Sequence, residues 1–169
     1  MFDNDYLIKG SHGDRIRFLN LTSNKNDESA NAFGPFKAAI DVYILAPLIG
    51  VLENKKSSES TGGKDFRIFA GAFSTHKKDV ETVYRLVLLS EKNELTNDEK
   101  IDRAFKVDDI PEKHNANMDL FHTYMRGGID WLYEKIVDEK STLEDDYIEN
   151  LLETVKDFDD LYNISKDED

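Results

Sequence analysis

The sequence predicts a single, mostly α-helical domain of five to seven helices over residues 1–164, followed by an acidic tail at 165–169. A chain of 169 residues can bury about two thirds of its unfolded surface, which is enough for one core. Apolar residues recur at spacings of three and four in several segments, as they do on one face of a helix. The chain has no cysteine, so this core must hold without disulfides or thiolate metal sites.

The first quarter of the chain is the least regular. Residues 5–21 mix apolar and basic side chains and predict a short helix or an irregular arm, and the polar segment 22–31 has the composition of a surface loop. Pro35 then suits the first turn of an apolar helix that ends near Leu52. Pro47 is expected to kink or break this helix, because proline removes a hydrogen bond inside a helix.

The middle of the chain predicts a loop and two helices. Residues 53–65 have the composition of a flexible loop, and a small β-hairpin near 66–73 is the weaker alternative for the segment after it. Helical spacing from Lys77 to Ser90 involves Val80, Val83, Tyr84, Val87 and Leu88. Thr96 and Glu99 stand in capping-box register, which predicts a short helix over 98–105.

Two adjacent glycines, Gly127 and Gly128, lie inside a helical pattern that should start near 115–117. Two glycines cost an isolated helix about 2 kcal/mol relative to alanine, so packing must offset them. We expect a close contact with another helix, which a missing side chain permits. The alternatives are a break between two helices and a backbone exposed to a ligand or partner.

The final helix should begin at Ser141 and be strongly amphipathic. Its apolar stripe comprises Tyr147, Ile148, Leu151, Leu152, Val155, Phe158, Leu161 and Tyr162. Acidic residues cover much of the remaining surface. Residues 1–107 carry 16 acidic and 16 basic side chains, so the net charge of −13 belongs entirely to residues 108–169. This asymmetry disfavours DNA as a partner of that end and favours a basic protein surface, although a solvated acidic face is the ordinary alternative.

We find no motif for catalysis, a cofactor or a metal, and therefore expect a non-enzyme without cofactor. His114 and His122 are eight residues apart, whereas zinc ligands on helices more often lie three or four apart. Gly10-Ser-His-Gly13 lacks the length and lysine of a phosphate loop. No Gly-x-Ser-x-Gly is present, and a Ser-His-Asp triad cannot be assembled from sequence. No signal peptide or bilayer-spanning apolar run is seen either, so we expect a cytoplasmic protein.

Several short motifs carry a family resemblance over about residues 34–130. They are Gly34-Pro35-Phe36-Lys37, Asp41 to Ala46, Ile49-Gly50, Phe121 to Tyr124 and Gly127-Gly128-Ile129. This pattern resembles small accessory proteins associated with bacterial Dnd systems, which install phosphorothioate on DNA. The resemblance implies a role in a DNA-modification or phage-defence setting, with no catalytic residues to carry over. Pro47, where a second alanine is expected, and a long acidic extension after residue 138 depart from the pattern.

We therefore expect a non-catalytic accessory or regulatory subunit that docks onto a larger protein of such an assembly. Candidate partner-binding residues are Tyr124, Arg126, Gly127, Gly128, Trp131, Glu149, Glu153, Asp157 and Asp160. Direct DNA contact is a less favoured hypothesis, through Lys9, Arg15, Arg17, Lys55, Lys56, Lys77 and Lys78. The same composition also fits an acidic DNA mimic that inhibits a nuclease or DNA-binding protein, and it leaves room for a metal-dependent hydrolase. Homo-oligomerisation is left open.

Overall fold

The computed structural model describes residues 2–20, 34–137 and 144–162, and the side chains of the last range from residue 146. These ranges contain seven helices and one two-stranded sheet, which confirms the mostly α-helical prediction. The expected loop at 22–31, the helix start at Ser141 and the tail at 165–169 lie outside the described residues. The elements in chain order are β1 (Tyr6–Ile8), α1 (Gly10–Leu19), α2 (Ala39–Leu52), β2 (Phe66–Ile68), α3 (Ala70–Thr75), α4 (Lys77–Ser90), α5 (Asn97–Phe105), α6 (Pro111–Ile136) and α7 (Glu144–Tyr162).

The centre of the fold is the contact between α2 and α6, and glycines make it possible. A Cβ atom added to Gly128 would lie 1.8 Å from the carbonyl oxygen of Ala46, and one added to Gly50 would lie 2.1 Å from the carbonyl oxygen of Tyr124. Neither position has room for a side chain. The predicted close helix contact at Gly128 is therefore confirmed, and the alternative of a break is wrong because α6 runs without interruption.

The two longest apolar segments differ from prediction mainly at their starts. α2 begins at Ala39, so Pro35 is not in its first turn, and the Asp41 carboxylate accepts a hydrogen bond from Ala38 N at 3.0 Å. The helix continues through Pro47, which is buried, so the expected break is absent from the described helix. α6 begins at Pro111 rather than near 115–117, with proline in its first turn, where no N–H is needed.

Local signals locate α4 and α5 correctly. α4 covers Lys77–Ser90 as the apolar spacing predicts, with its periodic residues buried. Before α5, the Thr96 hydroxyl accepts from Glu99 N at 3.3 Å, and the Glu99 carboxylate accepts from Thr96 N at 2.8 Å. The predicted capping box is confirmed.

No described helix combines the length and apolarity needed to cross a membrane.

The sheet joins two distant segments rather than forming a hairpin. β1 and β2 are antiparallel, with Tyr6 opposite Ile68 and Ile8 opposite Phe66. Residues 70–75 are helical, so the hairpin proposed for 66–73 is wrong. Alternation of side chains identified a short strand there, but alternation does not reveal which strand pairs with it.

The segment 53–65 is held by hydrogen bonds, contrary to the expectation of a flexible loop. Its Asp65 carboxylate accepts from Gly10 N at 2.9 Å, and its Ser60 hydroxyl accepts from Ser11 N at 3.3 Å. The first N–H groups of a helix lack partners within the helix, so this segment caps α1. Ser57 N also donates to the carbonyl oxygen of Thr123 at 3.0 Å, which ties the same segment to α6.

Candidate docking groove

An apolar groove of ≈ 800 Å³ lies among α2, α6 and α7. α2 contributes residues at helical spacing, α6 forms the part between the two flanking helices, and α7 supplies the opposite side. Aliphatic and aromatic side chains dominate the lining, which includes Phe36, Leu45, Leu48, Ile49, Leu52, Trp131, Leu132, Ile136, Leu151, Leu152, Val155 and Phe158. A surface cavity of this size and composition is typical of a binding site.

α2 is apolar on two faces, which explains why it forms both core and groove. One face carries Ala46 and Gly50 against α6. The other carries Leu45, Leu48 and Leu52, and Leu52 remains 43% exposed. The helix is apolar nearly all round, yet the fold covers only part of it. A helix with such composition normally requires burial on most sides.

α7 is anchored to the rest of the domain at separate points. Near its start, Tyr147 is buried and its ring meets that of Phe18 at 5.7 Å, edge to face. Further along, the ring of Phe158 lies 6.2 Å from that of Trp131. At the end, the Tyr162 hydroxyl donates to the Glu53 carboxylate at 3.2 Å. Between these anchors, α7 leaves its apolar stripe partly uncovered.

The uncovered part of α7 is both apolar and flanked by negative charge. Leu152 is 64% exposed and Val155 is 59% exposed. The helix carries eight acidic residues and one lysine, a net charge of −7. A second cavity of ≈ 460 Å³ shares Trp131 with the groove and brings Asp157 and Asp160 to its edge. Lys156 lines the groove and Lys135 lines the second cavity, so the border on the α7 side is net acidic but mixed in sign.

The predicted partner-binding residues do not lie on one surface. Trp131 lines the groove, and Asp157 and Asp160 line the adjoining cavity. Glu149 and Glu153 lie on the exposed side of α7.

The remaining candidates point inward. Tyr124, Gly127 and Gly128 are buried in the interior, where Gly128 contacts the backbone of α2 and Gly127 contacts the backbone of the 53–65 segment. Arg126 donates from Nε to the carbonyl oxygen of Ser57 at 2.9 Å. The three buried residues do not belong to a docking surface, because the helix periodicity that marked them also directs them into the core. Sequence reasoning missed the leucines of α2, whose exposure depends on where α7 lies.

Most of the basic residues considered for DNA contact are paired with carboxylates. Lys9 meets Glu59 at 2.9 Å, Arg17 meets Asp14 at 2.9 Å and Lys56 meets Glu91 at 2.9 Å. Arg15 pairs with Asp130, and Lys77 lies 3.7 Å from Asp3. Each of these pairs is locally neutral. This arrangement weakens the case for a phosphate-binding patch, for which unneutralised Lys and Arg supply the affinity.

A second polar constellation joins three residues that the sequence keeps far apart. His12 is buried, and its Nε2 lies 3.1 Å from the Ser57 hydroxyl and 3.1 Å from the Asp130 carboxylate. A catalytic triad uses opposite ring nitrogens for serine and aspartate. Here both partners meet the same nitrogen, and His12 Nδ1 has no hydrogen-bond partner among the described residues. The cluster joins α1, the 53–65 segment and α6, and its geometry is that of a structural tie.

The electrostatics of this cluster favour an ionised Asp130. Burial alone would raise the pKa of Asp130, but hydrogen bonds from His12 and Ser57, together with the positive charge of Arg15, lower it overall. Arg15 also lies over the ring of Tyr133, 5.4 Å from its centroid. The network thus secures the N-terminal helix to α6 through one carboxylate.

A further histidine is packed among aromatic rings. His122 Nε2 shares a hydrogen bond with the Tyr43 hydroxyl at 2.9 Å, and its ring stacks on Tyr6 at 4.1 Å. Burial, with the positive charge of Arg126, lowers the pKa of His122 to about 3. The ring is therefore neutral near pH 7. Within the described ranges, no group of three or more His, Cys, Asp or Glu side chains is placed to hold a metal ion.

Fold and groove together describe a mostly α-helical protein with an acid-bordered apolar surface groove. Comparison with models of protein families, with curated proteins and with solved structures gave no match.

Proposed function

We propose that this chain is a non-catalytic accessory or regulatory subunit that docks onto a larger, more basic protein of a bacterial DNA-modification or antiphage-defence assembly. The observation that carries the docking role is the groove among α2, α6 and α7, with its apolar lining and its acidic border. The assembly context comes from the resemblance of the motifs in residues 34–130 to Dnd-associated accessory proteins.

The two properties of the groove have different roles in docking. Apolar burial supplies the favourable free energy of association, and the part that remains after the cost of ordering both partners appears as affinity. The acidic helix speeds encounter with a positively charged partner and fixes its orientation more than it adds affinity. Rising salt should therefore slow association, while dissociation governed by the apolar contacts should change less.

A DNA mimic would make a different use of the same helix. Carboxylates that stand in for phosphates need no apolar surface, whereas a protein-docking face pairs an apolar patch with charge at its border. The exposed Leu152 and Val155, beside Asp157 and Asp160, fit the second description. The groove thus favours docking to a protein over imitation of DNA.

The experiment is capture of the tagged chain from its source cells at low and moderate salt, with mass spectrometry of the eluted proteins. Recovery of a DNA-modifying, nuclease or ATPase subunit, in amounts that fall as salt rises, is the expected result. A chain that elutes alone at both salt concentrations contradicts the proposal. Inhibition of a purified nuclease in the absence of any captured subunit would support the mimic instead.

A further inference from the structure

We propose that the groove receives one amphipathic α-helix of the partner protein, with an aliphatic stripe facing inward and Lys or Arg residues along its border facing α7. This inference rests on the proposed function only for the statement that the chain binds a protein. It adds the secondary structure and the chemistry of the segment that binds.

The shape of the groove fits a helix. Leu45, Leu48 and Leu52 repeat at helical spacing on one side, and Leu151 and Val155 do so on the other. A helix about 10 Å across with a rise of 1.5 Å per residue fills about 120 Å³ per residue. The ≈ 800 Å³ of the groove therefore corresponds to about seven residues, or two turns, of inserted helix. Helices bind such grooves through anchors at i, i+3, i+4 and i+7.

An extended partner segment fits less well. A bound strand obtains its affinity from main-chain hydrogen bonds to an exposed sheet edge. The strands in the described part of the chain, β1 and β2, do not line the groove, which is built from helix side chains. A helix satisfies its own backbone hydrogen bonds and can therefore enter an apolar groove at lower cost.

Charge selects a basic helix over other apolar occupants. α7 carries a net charge of −7, and no cation forms an ion pair with Asp157 or Asp160 among the residues the structure describes. A second copy of this chain would bring the same negative helix to the contact. A fatty acid or other anionic amphiphile would meet the same repulsion. Asp157, Asp160 and Glu53 line the adjoining cavity together with one lysine, Lys135, so the cavity is net negative and Lys or Arg at the border of the entering helix would complement it.

The test uses Trp131, the chain's single tryptophan, as a reporter inside the groove. Three synthetic peptides of about 18 residues, or five turns, lack Trp and Tyr. The first has leucines at i, i+3, i+4 and i+7 with lysine borders. The second replaces lysine by glutamate. The third keeps the composition of the first but alternates its leucines, so no helical face is apolar. Trp131 emission is followed during titration with each peptide.

The expected result is saturable binding of the first peptide, at least about tenfold tighter than either of the other two. Leu52→Glu should weaken it at least about tenfold, because a carboxylate enters the groove. Leu86→Glu is the matched control, since both leucines are 43% exposed and Leu86 does not line the groove. It should bind as the unmodified chain does.

Four outcomes overturn the inference. They are no binding of the lysine peptide, equal binding of the glutamate peptide, equal binding of the alternating peptide, and insensitivity to Leu52→Glu. The proposed function fails separately, in the capture experiment. If a subunit is captured but the lysine peptide does not bind, the proposed docking function stands and a basic helix is excluded as the occupant of the groove.

Discussion

Gly128 offers the sharpest test of how the fold is held together. Replacing it by alanine adds one Cβ, which would lie 1.8 Å from the carbonyl oxygen of Ala46. Real Cβ atoms essentially never come within 3.0 Å of such an atom, so α2 and α6 must separate by at least 1.2 Å, the difference between these distances. The contact is to backbone, so no side-chain rotation relieves it.

The net effect follows from two opposing terms. Overpacking of a close contact costs about 1–3 kcal/mol. Alanine favours a helix over glycine by about 1 kcal/mol, and this gain offsets part of the overpacking cost. The central contact belongs at the upper end, so we expect Gly128→Ala to lose about 2 kcal/mol, or about 4–8 °C in Tm at about 2–4 °C per kcal/mol. Gly128→Leu should fail to fold.

The assay is thermal and urea unfolding followed by circular dichroism. Gly71→Ala is the control, because Gly71 is also helical and an added Cβ there has no neighbour within 4 Å. It should be stabilised by about 0.5–1 kcal/mol. A Gly128→Ala protein as stable as the unmodified chain, alongside a normally behaved Gly71→Ala, would refute the close-contact argument.

Three other predictions concern two half-buried polar side chains and the charge of the interface. The pKa of His122 is lowered to about 3, below its usual value of about 6.5, so protonation favours the unfolded chain and stability falls as pH drops from about 6.5 towards 3. At pH 5 the free energy of unfolding, measured in urea, should be about 2 kcal/mol lower than at pH 7 because of this residue. His122→Gln should remove that difference. A variant with the same dependence of stability on pH would contradict the role of His122. Asp130→Asn should destabilise the fold by about 1–2 kcal/mol, because Arg15 and His12 lose their ionised partner. The control, Asp109→Asn on the exposed surface, should change stability by less than about 0.5 kcal/mol. Equal effects of the two substitutions would contradict a structural role for the cluster. Association with the captured partner, followed by stopped flow, should slow at least about tenfold between about 50 mM and about 500 mM salt, and a rate indifferent to salt would contradict an acidic interface.

The parts of the fold predicted from sequence are those with local causes. The stripe from Val80 to Leu88 and the Thr96–Glu99 capping box involve residues at most eight apart, and both are confirmed. Gly128 was predictable as a close contact because apolar periodicity continued through an unfavourable residue. Its partner, Ala46, was not predictable, since the sequence does not say which helices meet.

The missed features depend on contacts between distant segments. His12 and Asp130 are 118 positions apart, and His12 and Ser57 are 45 apart. The 53–65 segment has a flexible composition, yet its Asp65 and Ser60 cap a helix that begins at Gly10. Local composition describes what a segment can do alone and not the donors it meets after folding. The groove is a third case, because the exposure of the α2 leucines depends on how far α7 covers them.

The central claim, that the groove is the docking surface, is tested most directly by measuring the affinity of the captured partner for three versions of the chain. Leu52→Glu places a charge in the groove, and Leu86→Glu places the same charge on an equally exposed leucine outside it. The account predicts that Leu52→Glu weakens binding at least about tenfold and Leu86→Glu leaves it unchanged. A partner that binds all three with equal affinity would contradict the assignment of the groove.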